Sequence, residues 1–224
     1  MTSPIDESRH PDRSPRSYNS RRRREAAEQS RLRVLARARE LFLSAGYAAT
    51  TVATIAQAAG VSSESVYKNF GGKAGLVRAI QEQSLLGAGD APAEERSDRA
   101  QEVATDGREL MQRFGRFVTE IAPLGAPIIL LIRDAAASGD ADMEALLREV
   151  EDAQYRRMLH NARRVVARGL LRADLSAEEA ADVMVASTSV GLYESLVLKR
   201  GWSAEKYGGF VARMLVANLL PDQD

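Results

Sequence analysis

Apolar residues recur every three or four positions through most of this chain, and this period predicts helices. No segment shows the alternation of apolar and polar residues that is typical of a strand. The first helix is predicted at about 28–45, where apolar side chains share one face. Later helices are predicted at about 95–121, 126–137, 140–168, 177–199 and 204–219, after a linker at 87–93 that is rich in glycine and alanine. The sequence therefore predicts an all-α protein.

Residues 46–73 are predicted to form two short helices joined by a tight turn. Thr50 and Thr51 are suited to cap the first helix. Gly60 can supply the turn, and Ser62 is suited to cap a second helix that runs to about residue 70. A further helix is predicted from near Lys73, fading near residue 87.

The second of the two short helices is expected to bury one side and expose the other. Its inward side is predicted to consist of Val66, Tyr67 and Phe70. Its outward side is predicted to consist of Ser63, Glu64, Lys68 and Asn69. Two short helices with a polar outward face are typical of a helix-turn-helix, in which the second helix enters the major groove of DNA.

Charge divides the chain into two unlike halves, although its net charge is zero. Residues 1–80 contain 14 Lys and Arg against 7 Asp and Glu, whereas residues 81–224 contain 17 against 24. The basic half is the half that carries the helix-turn-helix. A basic surface gains affinity for DNA when counterions leave the phosphates, and an acidic domain is repelled from DNA.

Residues 1–28 are rich in Ser, Pro, Arg and Asp and nearly lack large apolar side chains, which predicts a disordered basic arm. Arg21 to Arg24 directly precede the first helix. Such a run can reach phosphates or a narrow minor groove, or it can simply aid solubility. The sequence leaves both interpretations open.

Several classes of protein are disfavoured by composition. The chain has no cysteine, which excludes disulfides, a thiolate nucleophile and a cysteine-based zinc site. It has no apolar signal segment and no uninterrupted apolar run of the ~20 residues that a membrane span needs, so we expect a soluble, cytoplasmic protein without a membrane partner. His10 and His160 lie near no nucleophile motif and no metal-ligand spacing. We expect no catalytic residue, metal or cofactor.

Three segments of the chain carry a resemblance to a known family. They are ARELFLSAGY at 38–47, the core TTVATIAQAAGVS at 50–62, and VYKNFGGKAGL at 66–76. In these segments the chain resembles the DNA-binding domain of the TetR family of bacterial transcriptional regulators. It departs from the family pattern at Ala74, where an acidic residue is usual, and at Glu64, where Gly or Pro is more common. The resemblance implies a three-helix helix-turn-helix domain at 29–87 and an α-helical ligand-binding and dimerisation domain at 94–220.

The resemblance and the outward positions together give a predicted DNA-binding set. The family motif implies phosphate contacts for Tyr67 and Lys73. Lysine suits guanine acceptors, asparagine suits adenine, and glutamate can accept from cytosine. The full set is Thr50, Thr51, Ser62, Ser63, Glu64, Ser65, Tyr67, Lys68, Asn69 and Lys73.

The last two predicted helices are apolar over more of their circumference than a helix with one buried face requires. The resemblance implies that two helices from each protomer form a four-helix interface in a homodimer. The alternative is that they only close the core of their own protomer. The residues expected in the interface are Val190, Leu192, Leu196, Phe210 and Met214.

The resemblance also implies a pocket for a small-molecule effector among the middle helices. For Arg133 the alternative is pairing with an acidic neighbour, because a cation among apolar residues must be paired or used. The candidates for the pocket are Phe114, Phe117, Ile129, Arg133, Tyr155, Met158, Met184 and Tyr193.

The sequence therefore predicts a DNA-binding transcriptional regulator, best read as a repressor that an unidentified small molecule releases from its operator. Release would follow from a changed separation of the two recognition helices of a dimer. One alternative is an architectural DNA-binding protein without an effector, and a more remote one is an all-α enzyme. A cavity among the C-terminal helices would favour the effector-controlled regulator.

Overall fold

The computed structural model describes residues 15–87 and 91–221, with side chains from Arg22 onward. Within these ranges the chain forms helices and no strand, so the all-α prediction is confirmed. The N-terminal helices are α1 (Pro15–Ala45), α2 (Val52–Ala59), α3 (Ser63–Phe70) and α4 (Lys73–Ser84). The later helices are α5 (Ala93–Val103), α6 (Gly107–Ala137), α7 (Ala141–Ala167), α8 (Ala177–Ser187), α9 (Val190–Tyr193) and α10 (Ala204–Leu219).

The helix α1 is longer than the sequence predicted. It begins at Pro15, so residues 15–28 are helical, which corrects the prediction of a disordered arm for that part. Proline is favoured in the first turn of a helix, and the residues at 21–29 are almost all good helix formers. The lack of large apolar residues argues against burial, but a helix nucleated in the core can still extend into solvent. Residues 1–14 of the predicted arm lie outside the described residues.

One hydrophobic core joins the N-terminal helices to the rest of the chain. Phe42 of α1, Ile55 of α2 and Leu76 of α4 are fully buried in it. Ile128 and Ile132 of α6 belong to the same core and are also fully buried. The two predicted domains therefore share packed side chains instead of meeting only at a linker.

Two polar contacts accompany this shared core. The Arg39 guanidinium of α1 donates a hydrogen bond to the carbonyl oxygen of Leu124 in α6 at 2.8 Å. Arg78 of α4 forms an ion pair with Glu149 of α7. Both contacts fix the N-terminal helices against the C-terminal ones.

A second core lies between α6, α7, α8 and α10, with Met111, Met184 and Leu215 among its buried side chains. Two glycines allow α6 and α10 to approach closely. A Cβ at Gly115 would lie 2.5 Å from the carbonyl oxygen of Gly208, and one at Gly208 would lie 2.4 Å from that of Gly115. Real Cβ atoms do not approach carbonyl oxygens so closely, so this crossing requires glycine on both helices.

The helix α6 runs through Pro123 and Pro127, where the sequence predicted a break. A proline inside a helix removes a hydrogen bond and costs ~3 kcal/mol or more. Packing of α6 before and after the prolines offsets this cost, because Val118 packs in the second core and Ile128 in the first. One helix thus spans both cores.

Two predicted helices are divided in the structure. The helix predicted at 95–121 breaks at Ala104, which is extended, and Asp106 then caps α6. The helix predicted at 177–199 breaks at Ser189, which caps α9, and the chain continues as a π-helical turn at Glu194–Leu198. The apolar period continues across both breaks, which is why periodicity alone missed them. The helices predicted at 140–168 and 204–219 are confirmed with ends within one residue.

By length and composition, the segments Gly107–Ala137 and Ala177–Leu198 are apolar enough to cross a membrane, with mean hydropathies of 1.5 and 1.2. Charged residues interrupt the apolar runs of both segments, so the sequence analysis did not predict either of them as a membrane span. The first segment is α6, which packs against α4, α7 and α10. A core helix of a soluble protein passes the same test.

Candidate functional site

The turn between α2 and α3 is built by two side-chain caps and one glycine. The Thr51 hydroxyl accepts a hydrogen bond from the N–H of Thr54 at 3.1 Å, and the Ser62 hydroxyl accepts one from the N–H of Ser65 at 3.1 Å. Gly60 ends α2 with a φ of 69°, which a residue with a Cβ would resist. These contacts fix the end of α2 and the start of α3 around a tight turn.

The helix α3 buries one side and exposes the other. Val66 is buried, whereas Lys68 and Asn69 are exposed. The Asn69 amide nitrogen donates to the carbonyl oxygen of Ser65 at 2.8 Å, which orders this side chain. The outward surface of α3 consists of Ser63, Glu64, Ser65, Tyr67, Lys68 and Asn69.

Two predicted positions differ in the structure. The ring of Tyr67 does not face inward: the residue is 56% exposed, and its ring borders the backbone of Gly72. Thr50 is 3% exposed, and its hydroxyl donates to the carbonyl oxygens of Gly46 at 2.8 Å and Leu41 at 3.2 Å. Thr50 therefore closes the loop after α1 and leaves the predicted DNA-binding set, because its buried hydroxyl is not free to contact a phosphate.

Lys73 lies at the first turn of α4, beside the start of the helix-turn-helix. Its ammonium donates to the carbonyl oxygen of Tyr47 at 2.9 Å and lies 4.0 Å from the centre of that ring. Burial, with smaller contributions from Asp140 and Asp142, raises the pKa of Tyr47 to about 12. Lys73 thus has a structural partner, and its contact with a phosphate stays a prediction.

A cavity of about 210 Å³ lies between α5, α6, α7 and α8. Gln101 and Asn161 form a buried polar pair in its wall, where the Gln101 amide nitrogen donates to the Asn161 Oδ1 at 2.9 Å. The Gln101 Oε1 is also buried and has no hydrogen-bond partner among the described residues. The apolar part of the wall consists of Ala100, Leu110, Met111, Phe114, Phe117, Val165 and Met184.

The cavity contains three of the predicted effector-binding residues, namely Phe114, Phe117 and Met184. Arg133 does not line it, because the guanidinium pairs with Asp134 at 2.9 Å and with Glu194 at 2.9 Å. The acidic-neighbour alternative for Arg133 is therefore the observed one. The other four candidates also lie outside the cavity wall: Ile129 packs on the first core, Tyr155 is exposed, Met158 packs on the second core, and Tyr193 is buried edge-on against Tyr207.

The helix α5 covers one side of the cavity and is held mainly by arginines. Arg157 of α7 pairs with Asp98 at 2.6 Å, and Arg168 donates to the carbonyl oxygens of Gln101 and Ala104, both at 2.6 Å. Burial alone would raise the pKa of Asp98, but the hydrogen bond from Arg157 and the nearby positive charges lower it. The carboxylate therefore stays charged at neutral pH, and α5 is attached by polar contacts more than by packing.

The predicted dimer residues fall into two groups. Val190, Leu192 and Leu196 are half-buried and pack against the second core of their own protomer. Phe210 and Met214 are one turn apart on α10, are half-buried, and are not among the side chains that pack on that core. Of the five residues predicted for a dimer interface, Phe210 and Met214 are thus the two that do not pack on the second core of their own protomer.

Sequence reasoning missed Gln101 and Asn161 as functional candidates. Asn161 faces inward on α7 beside Ala162 and Val165, and an amide among apolar positions was a signal in the sequence. The helix α5 is polar on all sides, so no such signal marked Gln101. Their pairing was not predictable, because they are 60 residues apart and meet only when α5 folds onto α7.

The N-terminal helices form a helix-turn-helix whose second helix, α3, exposes a polar face. A separate cavity lies among the C-terminal helices. Residues 34–80 match the family described as bacterial regulatory proteins, tetR family. The N-terminal part of the chain is therefore similar to the DNA-binding domain of this family.

Relatives and solved structures agree with this assignment. The chain is 34% identical over 102 residues to the HTH-type transcriptional regulator TtgR of Pseudomonas putida, an alignment that covers 45% of this chain and 48% of TtgR. The chain thus matches about half the length of that relative. Its fold resembles a SmeT–triclosan complex (TM-score 0.70, 20% identity, 87% of this chain and 93% of that one). It also resembles NalD, the secondary repressor of the MexAB-OprM multidrug efflux pump in Pseudomonas aeruginosa (TM-score 0.67, 20% identity, 89% and 100%).

Proposed function

We propose that the chain is a cytoplasmic, homodimeric transcriptional repressor that leaves its operator when a small molecule binds the cavity between α5, α6, α7 and α8. The proposal rests on the position of α6, which belongs to both parts of the protein. Its residues Met111, Phe114 and Phe117 line the cavity. Its residues Ile128 and Ile132 are buried in the first core, together with side chains of α1, α2 and α4. A ligand that shifts α6 therefore acts on the packing that positions α3.

The proposed mechanism concerns the distance between the two recognition helices of a dimer. Successive major-groove faces on one side of B-DNA are ~34–36 Å apart, so both α3 helices must keep this separation to engage two half-sites. A ligand that prefers a conformation in which the α3 helices have another separation lowers the affinity for the operator. The size of this effect is set by the ratio of the ligand's affinities for the two conformations. An architectural protein without an effector would need no cavity, which makes that alternative the weaker one.

The wall of the cavity favours a neutral and mostly apolar effector. Two of its three charged residues have partners within the protein: Arg113 pairs with Glu109 at 2.7 Å, and Glu120 pairs with Arg96 at 2.8 Å. The third, Arg116, is exposed to solvent. An ionic ligand would have to displace these partners at a cost in desolvation. The unpartnered Oε1 of Gln101 is an acceptor, so the effector is expected to carry a hydrogen-bond donor.

Triclosan is a suitable probe, because it is largely apolar and carries one phenolic hydroxyl. We expect it to weaken binding of the full chain to a duplex selected from a random pool, measured by fluorescence anisotropy. The methyl ether of triclosan lacks the donor and should need at least about tenfold higher concentration, which corresponds to ~1.4 kcal/mol. In Gln101→Leu this difference should disappear, whereas Gln112→Leu, an exposed glutamine of α6 outside the cavity wall, should behave as the wild type.

The results separate the parts of the proposal. A wild-type chain that binds no duplex selectively would contradict the regulator. Selective DNA binding that neither compound affects would contradict a phenolic effector of this cavity. Equal effects of the two compounds on the wild type would contradict the role of Gln101 as acceptor.

A further inference from the structure

The N-terminal half of α1 has no evident role in the fold. The helix has 31 residues and is therefore ~46 Å long, but its contribution to the first core starts only at Val34. Residues 22–29 are all exposed. The segment that spans residues 22–33 is thus a largely solvated stretch of helix, about three turns long, that adds no side chain to the core.

The side of this segment that lies towards α3 carries two arginines and one carboxylate, that of Glu28. Arg24 and Arg31 are seven residues apart, which places them on one face of α1. They line a groove between α1 and α3, whose opposite wall includes Ser65 and Asn69. The Arg31 guanidinium lies 5.4 Å from the centre of the Phe70 ring at the end of α3.

The two arginines are free to bind an external anion. Neither forms an ion pair with any side chain in the described part of the chain. Arg31 is held in place by the Phe70 ring, which is a cation–π contact and leaves the N–H groups of the guanidinium available. Two unpaired cations beside the outward face of a recognition helix complement a polyanion.

Duplex DNA supplies that polyanion at the right place. When a recognition helix lies in the major groove, which is about 12 Å wide, the phosphate backbones form both walls of the groove. The helix α1, which borders α3 across a groove, then faces one of these walls. Seven residues of α1 correspond to ~10 Å, so Arg24 and Arg31 meet phosphates at separate positions along the strand.

We propose that the N-terminal half of α1 is a second DNA-contacting element, in which Arg24 and Arg31 bind backbone phosphates beside the groove that α3 occupies. This proposal rests on the proposed function, because it takes α3 to be the recognition helix. The contact lengthens the footprint on each half-site and adds affinity without reading bases.

The test compares Arg24→Gln with Arg33→Gln. Glutamine keeps a good helix former at both sites, so circular dichroism should be unchanged. Arg33 is nine residues from Arg24, which places it on the opposite face of α1, and it too has no partner within the described ranges. It is therefore a control of equal charge on the same helix.

The measurement is the dependence of the dissociation constant on salt, with a duplex that the wild-type chain selected from a random pool. Each phosphate contact contributes ~0.9 to the slope of log K against log salt, so Arg24→Gln should reduce the slope by about two units per dimer. Its loss of affinity should then be about tenfold larger at 50 mM than at 200 mM salt. Arg24→Lys should restore most of the slope, and hydroxyl-radical footprints of Arg24→Gln should lose protection at the outer edges.

Three results would overturn the proposal. If Arg24→Gln keeps the wild-type slope and footprint, the segment does not contact DNA. If Arg33→Gln lowers the slope as much as Arg24→Gln, the effect belongs to the overall charge of α1 and not to the face beside α3. If the wild-type chain selects no duplex, the proposed function fails and this contact fails with it.

Discussion

The Arg39 guanidinium donates a hydrogen bond to the carbonyl oxygen of Leu124 at 2.8 Å, joining α1 of the DNA-binding unit to the middle of α6. Leu124 lies between Pro123 and Pro127, in the part of α6 that connects the two cores. Burial lowers the pKa of Arg39, but the guanidinium remains charged at any physiological pH. This hydrogen bond is therefore a fixed link between the cavity side and the DNA side.

Replacement of Arg39 by Met keeps most of the apolar stem and removes the donor. We expect the free energy of unfolding to fall by about 1 kcal/mol, because a solvent-exposed hydrogen bond from a charged group is lost. Urea unfolding measures this change. Arg37→Met is the control: Arg37 is exposed and pairs with Glu40 one turn away, so its loss should cost about 0.5 kcal/mol or less. Equal effects of the two changes would contradict a linking role for Arg39.

The crossing of α6 and α10 depends on the glycines that face each other there. In Gly208→Ala the new methyl group would lie 2.0 Å from the Thr119 hydroxyl and 2.4 Å from the carbonyl oxygen of Gly115. The backbone cannot yield as a side chain does, so we expect a loss of stability of about 1–3 kcal/mol in urea unfolding.

Gly191→Ala is the matched control for this change. A Cβ at Gly191 meets nothing within 4 Å, so alanine should be neutral or stabilise by up to ~1 kcal/mol. A Gly208→Ala variant as stable as the wild type would show that α6 and α10 are not packed as closely as described.

Lys73 combines a structural contact with a predicted phosphate contact. Lys73→Ala removes the donor to the Tyr47 carbonyl oxygen and the cation above the Tyr47 ring. We expect the free energy of unfolding to fall by about 1 kcal/mol and the salt slope of DNA binding to fall by roughly one unit per protomer. A variant that loses stability with an unchanged slope would assign Lys73 to structure alone.

Part of this site followed from the sequence and part did not. The caps at Thr51 and Ser62, the turn at Gly60 and the outward side of α3 depend on contacts within four residues, which a local pattern encodes. The cavity wall and the pairing of Arg133 with Glu194 depend on contacts between helices that are distant in the chain. For the same reason periodicity marked Tyr67 as inward, although the residue is 56% exposed in the structure.

The proposed homodimer is tested through α10. Phe210 packs edge-on against Trp202 at 5.6 Å, and with Met214 it forms a half-buried apolar surface outside the second core. Met214→Glu leaves this core intact and places an unpaired charge in the proposed interface, at a cost of several kcal/mol if fully buried. Sedimentation velocity should detect monomers, and operator affinity should fall, whereas Met214→Leu should stay dimeric. A Met214→Glu variant that remains dimeric would place the interface elsewhere.

The central claim is that two copies of α3 read a duplex together. Selection of bound sequences from a random duplex pool by the full chain tests it most directly. We expect the pool to converge on an inverted repeat, whose half-site centres are one helical turn of about 10–10.5 base pairs apart or a multiple of it. A pool that remains random after repeated selection, at a salt concentration at which the chain still binds duplex DNA, would contradict sequence-specific recognition by α3.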